Sequence, residues 1–270
     1  MRRIVTTDKK GKKKLVNVPS YDLNYVNNQL GQPAYDVSIS SNGNGLPTSL
    51  VFLEPINYAG SGTVWPDISG YNRNATLYNS PTYNGSYFNF SNTGTQYADL
   101  ATLGDLSRWS FDIWVKTRAS LATKEATAAI TTVYDDPSVP VTPGQINFAL
   151  ITGAGAATYS NTLGVAFFNG AWRTCTPFTP TLNTWYHVVG TYDGTTLKQY
   201  INGTLNNSLS YSGVSSANGG KVRIARRWDG PVNTIHFFPG DIGVVRIYNQ
   251  ALDSSQVNTS FEQFKKTYGF

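Results

Sequence analysis

Hydrophobic and polar positions alternate between residues 50 and 252, in short runs that turn signals separate. In Phe111–Val115 the first, third and fifth residues are apolar, and successive residues of a strand point to opposite faces, so one face is apolar. Asp193-Gly194 and Asn202-Gly203 separate consecutive runs and are typical of hairpin turns. This spacing predicts a sandwich or a barrel. The predicted strands are Leu50–Glu54, Phe111–Val115, Ile146–Ile151, Leu163–Phe168, Trp185–Tyr192, Leu197–Ile201, Val222–Ile224 and Ile242–Tyr248.

The last residues of the chain follow a helical pattern instead. Asp253 and Gln256 have the spacing of a capping box, and apolar residues then recur at intervals of four, three and four. The pattern predicts a C-terminal helix within residues 253–270, with one apolar face docked on the sandwich or on a neighbouring subunit. That face contains Val257, Phe261, Phe264 and Tyr268.

Residues 1–48 contain few apolar residues and many Asn, Ser, Gly and Pro residues. Such a segment buries too little apolar surface to fold alone, so we predict an extended arm over 1–48 ahead of a domain over 49–252. Within the arm, the first 14 residues hold seven of the chain's 21 basic residues against one acid, so the rest of the chain is nearly neutral. We favour binding of the arm to an acidic groove on a partner protein. The alternatives are that it binds nucleic acid or is a solvated tail. Nucleic acid is disfavoured because the first 14 residues contain no aromatic side chain for base stacking. The candidate partner-binding residues are Arg2, Arg3, Lys9, Lys10, Lys12, Lys13 and Lys14.

Composition narrows the class of protein further. The chain has 17 Tyr, 13 Phe, 6 Trp, 25 Gly and 13 Pro, a profile that favours strands. It has no apolar run of membrane-spanning length and no signal-peptide pattern, so we expect synthesis in a cytoplasm and no membrane association. The single cysteine, Cys175, excludes an intrachain disulfide and is expected to be a small buried apolar residue.

Four stretches of the chain share features with a known family: Asp67–Leu77, Phe111–Lys116, Trp185–Gly203 and Phe238–Leu252. Together they resemble the laminin-G-like jelly-roll domains of the concanavalin A-like superfamily, over roughly residues 50–252. The resemblance implies an all-β fold, a two-sheet antiparallel jelly-roll sandwich. Its core positions include Trp114 and Trp185, and we expect Phe111, Ile113, Trp185, Val189 and Ile247 to contribute to burial.

The C-terminal stretch, which begins Ala251-Leu252-Asp253, and the Asn-, Thr- and Tyr-rich body resemble domains of tailed-phage structural proteins. This implies a non-catalytic virion component, a capsid decoration or head-fibre protein that is made in the host cytoplasm. Its arm would dock on capsid or other virion proteins, and it is a candidate homo-oligomer. The alternative is a carbohydrate-binding or adhesion module that recognises cell-surface glycans.

Catalysis has little support in the residues. Glycoside hydrolysis needs a pair of carboxylates, and catalytic members of the superfamily present them as E-x-D-x-x-E along one strand. The three glutamates, Glu54, Glu125 and Glu262, belong to no such run. His187 and His236 stand singly, which favours structural roles over a metal site or a Ser-His-Asp triad.

The positions of certain residues suggest two kinds of binding site, one for calcium and one for glycans. Relatives in the family hold calcium near the start of the domain, and the matching positions are Glu54, Asp67 and Asp241, helped by backbone carbonyls of Ser69-Gly70. The alternative is an Asx turn at Asp67 and solvated acids elsewhere.

Tryptophans beside turns are the second set of candidates. Trp65, Trp172 and Trp228 lie within two residues of Pro or Gly and could be exposed, and an exposed aromatic ring can stack on a sugar. Scattered surface aromatics are also ordinary features of proteins. The candidate glycan-binding residues are Trp172 and Trp228.

Overall fold

The computed structural model describes residues 2–7, 13–18, 45–90, 95–104, 106–121, 127–133, 146–152, 161–213, 215, 221–227 and 237–270. The chain divides into two compact units, Met1–Asn42 and Gly43–Phe270. In the first unit, β1 (Arg2–Thr7) pairs with β2 (Lys13–Val18) as an antiparallel hairpin. The segment that we predicted as an arm therefore contains two strands. Both strands include β-branched residues, which favour extended backbone.

The second unit contains two antiparallel sheets of eight strands each. Sheet I consists, in spatial order, of β13 (Trp172–Thr174), β12 (Gly164–Phe168), β11 (Ile146–Ile151), β10 (Ala128–Val133), β17 (Lys221–Ile224), β8 (Tyr97–Thr102), β5 (Ala75–Tyr78) and β4 (Val64–Trp65). Sheet II consists of β16 (Thr204–Ser210), β15 (Thr196–Ile201), β14 (Trp185–Tyr192), β9 (Trp109–Thr117), β18 (Gly240–Tyr248), β7 (Phe88–Phe90) and β6 (Thr82–Tyr83), and β3 (Val51–Leu53) also pairs with β18. A short 3₁₀ turn follows β3 at Pro55–Asn57.

The main core lies between the two sheets. Alternate residues of β9 face it, so Phe111 and Ile113 pack there while Asp112 and Trp114 point to the other side of sheet II. The sheets approach closely at Gly190, where an added Cβ would lie 2.5 Å from the Phe111 ring. Fully buried side chains of this core include Phe88, Phe111, Phe148, Phe167, Trp109 and Ile247.

The C-terminal helix α1 (Ser254–Phe264) packs on the outer face of sheet II. It begins with the predicted capping box, in which Asp253 and Gln256 each accept a hydrogen bond from the other's backbone N–H. Docking on the sandwich is confirmed, because the predicted apolar face contacts the sheet. Buried pairs of this kind include Val257 with Tyr248, and Phe264 and Tyr268 with Trp114 and Val244.

All predicted core strands are present, and the two-sheet antiparallel fold is confirmed. The burial of Trp114 is confirmed, whereas Trp65 and Trp185 differ from expectation. Trp65 is fully buried against Phe88, because its strand β4 points that ring into the core. Trp114 is fully buried, but it lies under α1 and not between the sheets. Trp185 is only half-buried, on the same outer face, since odd-numbered residues of β14 point away from the core.

Within the described ranges, the structure contains no helix that is both long and apolar enough to span a membrane.

Candidate functional site

The outer face of sheet I carries two stacked tyrosines. Tyr78 in β5 lies opposite Tyr97 in β8, with ring centroids 4.5 Å apart and an interplanar angle of 8°. Ala75 and Leu77 point into the core, so alternation sends Tyr78 outward, where its side chain is 38% exposed. The stack is therefore an aromatic platform in contact with solvent.

A hydrogen-bonded turn fixes this platform at one end. Asn79 and Ser80, directly after β5, both adopt left-handed backbone conformations, with φ of 58° and 53°. The Gln96 side chain donates to the carbonyls of both, at 3.2 and 2.9 Å, and Asn79 Nδ2 donates to Thr95 O at 2.8 Å. These bonds tie the residues after Tyr78 to those before Tyr97.

Two arginines lie against the platform from β17 and the residues after it. The Arg223 and Arg226 guanidinium carbons each lie 5.0 Å from the Tyr97 ring centroid, and Arg226 also lies 4.9 Å from that of Phe237. A cation over an aromatic face at this distance is attracted by the ring. We call Tyr78, Tyr97, Phe237, Arg223 and Arg226 the aromatic–arginine surface.

The two arginines differ in how their charge is balanced. Arg223 forms a bidentate ion pair with Asp99, its cross-strand neighbour, with Nε–Oδ1 at 2.6 Å and Nη2–Oδ2 at 2.8 Å. Both side chains are buried, at 4% and 9% exposure. Among the described residues, Arg226 forms no ion pair with a carboxylate. Burial and then the nearby charge of Arg223 lower the pKa of Arg226, while Tyr97 and Asp99 oppose this shift.

The pKa of Tyr97 is shifted by the same neighbouring charges. Burial and the charge of Asp99 raise the pKa of its hydroxyl, although Arg223 and Arg226 oppose the shift. The hydroxyl therefore stays protonated at neutral pH and can donate a hydrogen bond. The surface thus offers a flat apolar ring face, a hydroxyl and a cationic fork.

Trp172, predicted as a glycan-binding residue, lies on the same face of sheet I. It is half-buried in the edge strand β13, where its ring contacts Phe168 and the Arg227 guanidinium carbon lies 5.4 Å from its centroid. Trp228 lies outside the described residues. Successive cross-strand partners lie on one face of a sheet, and one such row is Asp99, Arg223, Thr131, Ala149, Ala166 and Thr174. Trp172 lies two residues before Thr174 in β13, so it is on the same face as Arg223.

The predicted calcium ligand Asp67 is already saturated by its own turn. Oδ1 accepts hydrogen bonds from the backbone of Phe52 and Ser69 at 2.8 and 2.9 Å. Oδ2 accepts from the Ser69 hydroxyl at 2.7 Å and from the Arg73 backbone at 2.9 Å. The structure shows the Asx turn that was the alternative prediction.

The other two predicted ligands lie in different surroundings. Asp241 is fully buried and neutralised by Lys116 at 2.8 Å and Arg118 at 2.6 Å. Glu54 accepts a hydrogen bond from Asn57 at 3.2 Å, and burial raises its pKa. In the part of the chain that the structure describes, no three acidic, His or Cys side chains form a group that could hold a metal ion. The described residues therefore do not assemble the predicted calcium site.

His187, Asp112 and Ser260 do meet, beneath α1, but not as a catalytic triad. His187 Nε2 lies 2.9 Å from Asp112 Oδ1, and the Ser260 hydroxyl donates to Asp112 Oδ2. The carboxylate thus lies between the other two groups, whereas a triad needs the serine on the histidine. Burial opposes ionisation of Asp112, but His187, Arg246 and Ser260 outweigh it and lower its pKa. This buried network is structural, as expected for His187.

The predicted partner-binding residues fall in the N-terminal unit. Arg2 and Arg3 lie in β1, and Lys13 and Lys14 lie in β2. The remaining three, Lys9, Lys10 and Lys12, lie outside the described residues, as do Glu125 and His236.

The aromatic–arginine surface was not predicted from the sequence, although signals for it exist. The run Ala75–Tyr78 alternates, and Arg226-Arg227 is a basic pair within a nearly neutral body. What the sequence does not contain is the pairing of β5, β8 and β17, which joins residues far apart in the chain.

Comparison with known proteins supports the fold. Residues 91–258 match the family described as the concanavalin A-like lectin/glucanases superfamily. A comparison with curated proteins gave no significant match.

Several solved structures share the fold at low identity. A botulinum neurotoxin serotype D ligand binding domain in complex with N-acetylneuraminic acid is 16% identical, with a TM-score of 0.59 over 80% of this chain and 51% of that one. A botulinum neurotoxin type C structure, whose cell entry depends on two ganglioside molecules, is 16% identical with a TM-score of 0.60 over 80% and 51%. A Trypanosoma rangeli sialidase in complex with sialic acid is 17% identical with a TM-score of 0.58 over 82% and 34%.

This chain thus spans about half of the neurotoxin structures, or less in the case of the sialidase. Identity at this level establishes the fold alone. The family match is the stronger finding, because it covers more than half of the 270 residues and includes β8 to β18. The chain belongs to the concanavalin A-like lectin/glucanase superfamily.

Proposed function

We propose that this protein binds carbohydrate through the aromatic–arginine surface of sheet I and does not cleave it. The observation that carries the proposal is the Tyr78–Tyr97 stack, held beside a guanidinium and in contact with solvent. The face of a sugar ring is apolar and packs on an aromatic ring, while its hydroxyls need polar partners at the edge. The Tyr97 hydroxyl and the arginines supply such partners.

The surface is also prepared for a ligand before the ligand arrives. The Asn79–Ser80 turn and the Gln96 side chain fix the end of the tyrosine stack. The Asp99–Arg223 ion pair fixes its base. A preformed site orders few side chains on binding, and this lowers the entropy cost of association.

The structural neighbours agree with this ligand class without establishing it. Two of them are described by their interaction with N-acetylneuraminic acid or gangliosides. A third neighbour is a sialidase in complex with sialic acid, of which this chain covers 34%. Here, however, the buried carboxylates Asp67, Asp99, Asp112 and Asp241 are each engaged in turns or ion pairs, which supports binding without hydrolysis.

The virion role predicted from the sequence stays a prediction, together with its capsid partners and the homo-oligomer. It is compatible with glycan binding, since the two proposals use different residues.

A glycan array with the purified full chain tests the proposal. Wild-type protein should bind a defined subset of glycans, and Tyr78→Ala should lose that binding because half of the platform is removed. Tyr71→Ala is the matched control, since Tyr71 is 52% exposed and has Arg73, which is not part of this surface, at 4.8 Å over its ring. Binding that survives Tyr78→Ala, or that Tyr71→Ala reduces equally, would contradict the proposed surface. No binding to any glycan would contradict the function itself.

A further inference from the structure

Building on the proposed function, we infer that the preferred ligand is an acidic sugar, whose carboxylate is bound by Arg226 while its ring lies against the solvent-facing side of the Tyr78–Tyr97 stack. A neutral sugar would need only the ring platform and a few hydrogen-bonding groups. The surface contains more positive charge than that, and the charge has a specific location.

The distribution of charge points to an anion. Asp99 compensates Arg223 through two short hydrogen bonds, so that this pair carries no net charge. Arg226 lies on the same tyrosine and, among the described residues, is not ion-paired with a carboxylate. One positive charge of the surface is thus left over.

The surroundings of Arg226 favour the binding of an anion. Its guanidinium is half-buried against the rings of Tyr97 and Phe237, at 5.0 and 4.9 Å, and its Nε is buried without a hydrogen-bond partner. A buried donor without an acceptor is costly, and Arg223 repels the charge. A ligand carboxylate would supply both the acceptor and the missing negative charge.

Geometry selects a carboxylate. The guanidinium is a planar fork of donors that matches the two oxygens of a carboxylate, and such charge-assisted bonds are stronger than neutral ones. Tyr78 covers one side of Tyr97 and Arg226 lies against the same ring, so a sugar that lies along the solvent-facing side of the stack would place a ring substituent next to the fork. Uronic and sialic acids carry a carboxylate directly on the ring.

The test compares acidic sugars with matched neutral ones. The probes are 3′-sialyllactose against lactose, and oligogalacturonate against its methyl ester, with a sulfated galactoside as a further arm. Isothermal titration should show at least one acidic probe binding about tenfold or more tightly than its neutral partner, as expected for a hydrogen bond to a charged group. The preference should shrink between about 50 and 500 mM salt, because the charge is partly exposed.

Substitutions then assign the preference to Arg226. Arg226→Gln should reduce the ratio of acidic to neutral affinity to about one, and Arg226→Lys should leave an intermediate ratio, since it keeps the charge and loses the fork. Arg73→Gln is the control arginine, over a different tyrosine, and should leave the ratio unchanged. If Arg226→Gln does not fold, Arg226→Lys and the salt dependence of the wild type carry the test.

The outcomes separate this inference from the proposed function. Tyr78-dependent binding of neutral and acidic probes with equal affinity would overturn the inference and leave carbohydrate binding intact. An acidic preference that Arg226→Gln does not change would also overturn it. Tighter binding of the sulfated probe than of any carboxylated one would overturn the choice of carboxylate, and no binding of any glycan would overturn both proposals.

Discussion

Removing the carboxylate of the Asp99–Arg223 pair should destabilise the sandwich strongly. Asp99→Asn preserves the side chain's size, but it removes the negative charge that pairs with the buried Arg223 guanidinium. Breaking a buried ion pair from one side costs about 3–5 kcal/mol. Exposures of 4% and 9% mean that solvent screens the pair little, so no large discount applies. In a domain of this size the loss corresponds to a fall of about 6–20 °C in Tm.

The two single substitutions should not be equivalent. Asp99→Asn leaves two guanidiniums, Arg223 and Arg226, on one tyrosine with no carboxylate between them. Arg223→Met leaves Asp99 with Arg226 nearby, and the attraction between these two partly replaces the lost pair. We therefore expect Arg223→Met to cost less than Asp99→Asn. The double substitution removes both charges and should cost less than the sum of the two singles.

Urea unfolding followed by tryptophan fluorescence measures these differences, with Glu262→Gln as the control. Glu262 forms an ion pair with Lys265 on α1, but the side chains are 48% and 31% exposed, so a change below about 1 kcal/mol is expected. An Asp99→Asn variant within about 1 kcal/mol of wild type would refute the assignment of a buried ion pair. A larger cost for Arg223→Met than for Asp99→Asn would refute the role given to Arg226.

Three further predictions concern the interior. Burial raises the pKa of the Cys175 thiol to about 12, so the native protein should resist a thiolate-directed reagent at pH 8, and alkylation under native conditions, detected by mass spectrometry, would contradict this. The pKa of Asp112 is lowered in the folded state, so the carboxylate stabilises the fold above its unfolded pKa of about 4, and this contribution is lost as the pH falls through the folded pKa. An Asp112→Asn variant whose stability depends on pH as the wild type's does between about pH 2 and 6 would refute this prediction. Gly190→Ala would bring a Cβ within 2.5 Å of the Phe111 ring and 2.6 Å of Val165, so overpacking should cost about 1–3 kcal/mol in urea unfolding, and an unchanged midpoint would be inconsistent with the close approach.

Local patterns predicted the parts of the fold that local physics determines. The alternation in β9, the Asn202-Gly203 turn and the Asp253 capping box could all be identified because each depends on neighbours in sequence. The face that a residue occupies was harder to predict. Trp114 and Trp185 match family positions, but which side of sheet II is covered depends on where α1 docks, and no alternation pattern contains that information.

The candidate site shows the same limit more strongly. Tyr78, Asp99 and Arg223 come from three strands that are adjacent only in the folded sheet. Turn-associated tryptophans were an indirect signal, and they led to Trp172, on the same face, but not to the tyrosine stack. The predicted calcium ligands were inferred from family positions, whereas the atoms around Asp67 and Asp241 are fixed by local hydrogen bonds and ion pairs that differ at each residue.

The two outer faces of the sandwich thus have different roles. On sheet II, α1 covers Trp114 and encloses the Asp112–His187 network, so these titratable side chains hold the helix on the sheet. On sheet I, the stacked tyrosines and Arg226 remain partly exposed. Substitutions under α1 should therefore change stability first, whereas substitutions at Tyr78 should change binding first, because an exposed ring contributes little to the core. This separation follows from which face the chain covers with its own C-terminus, and it is why the proposed site lies on sheet I.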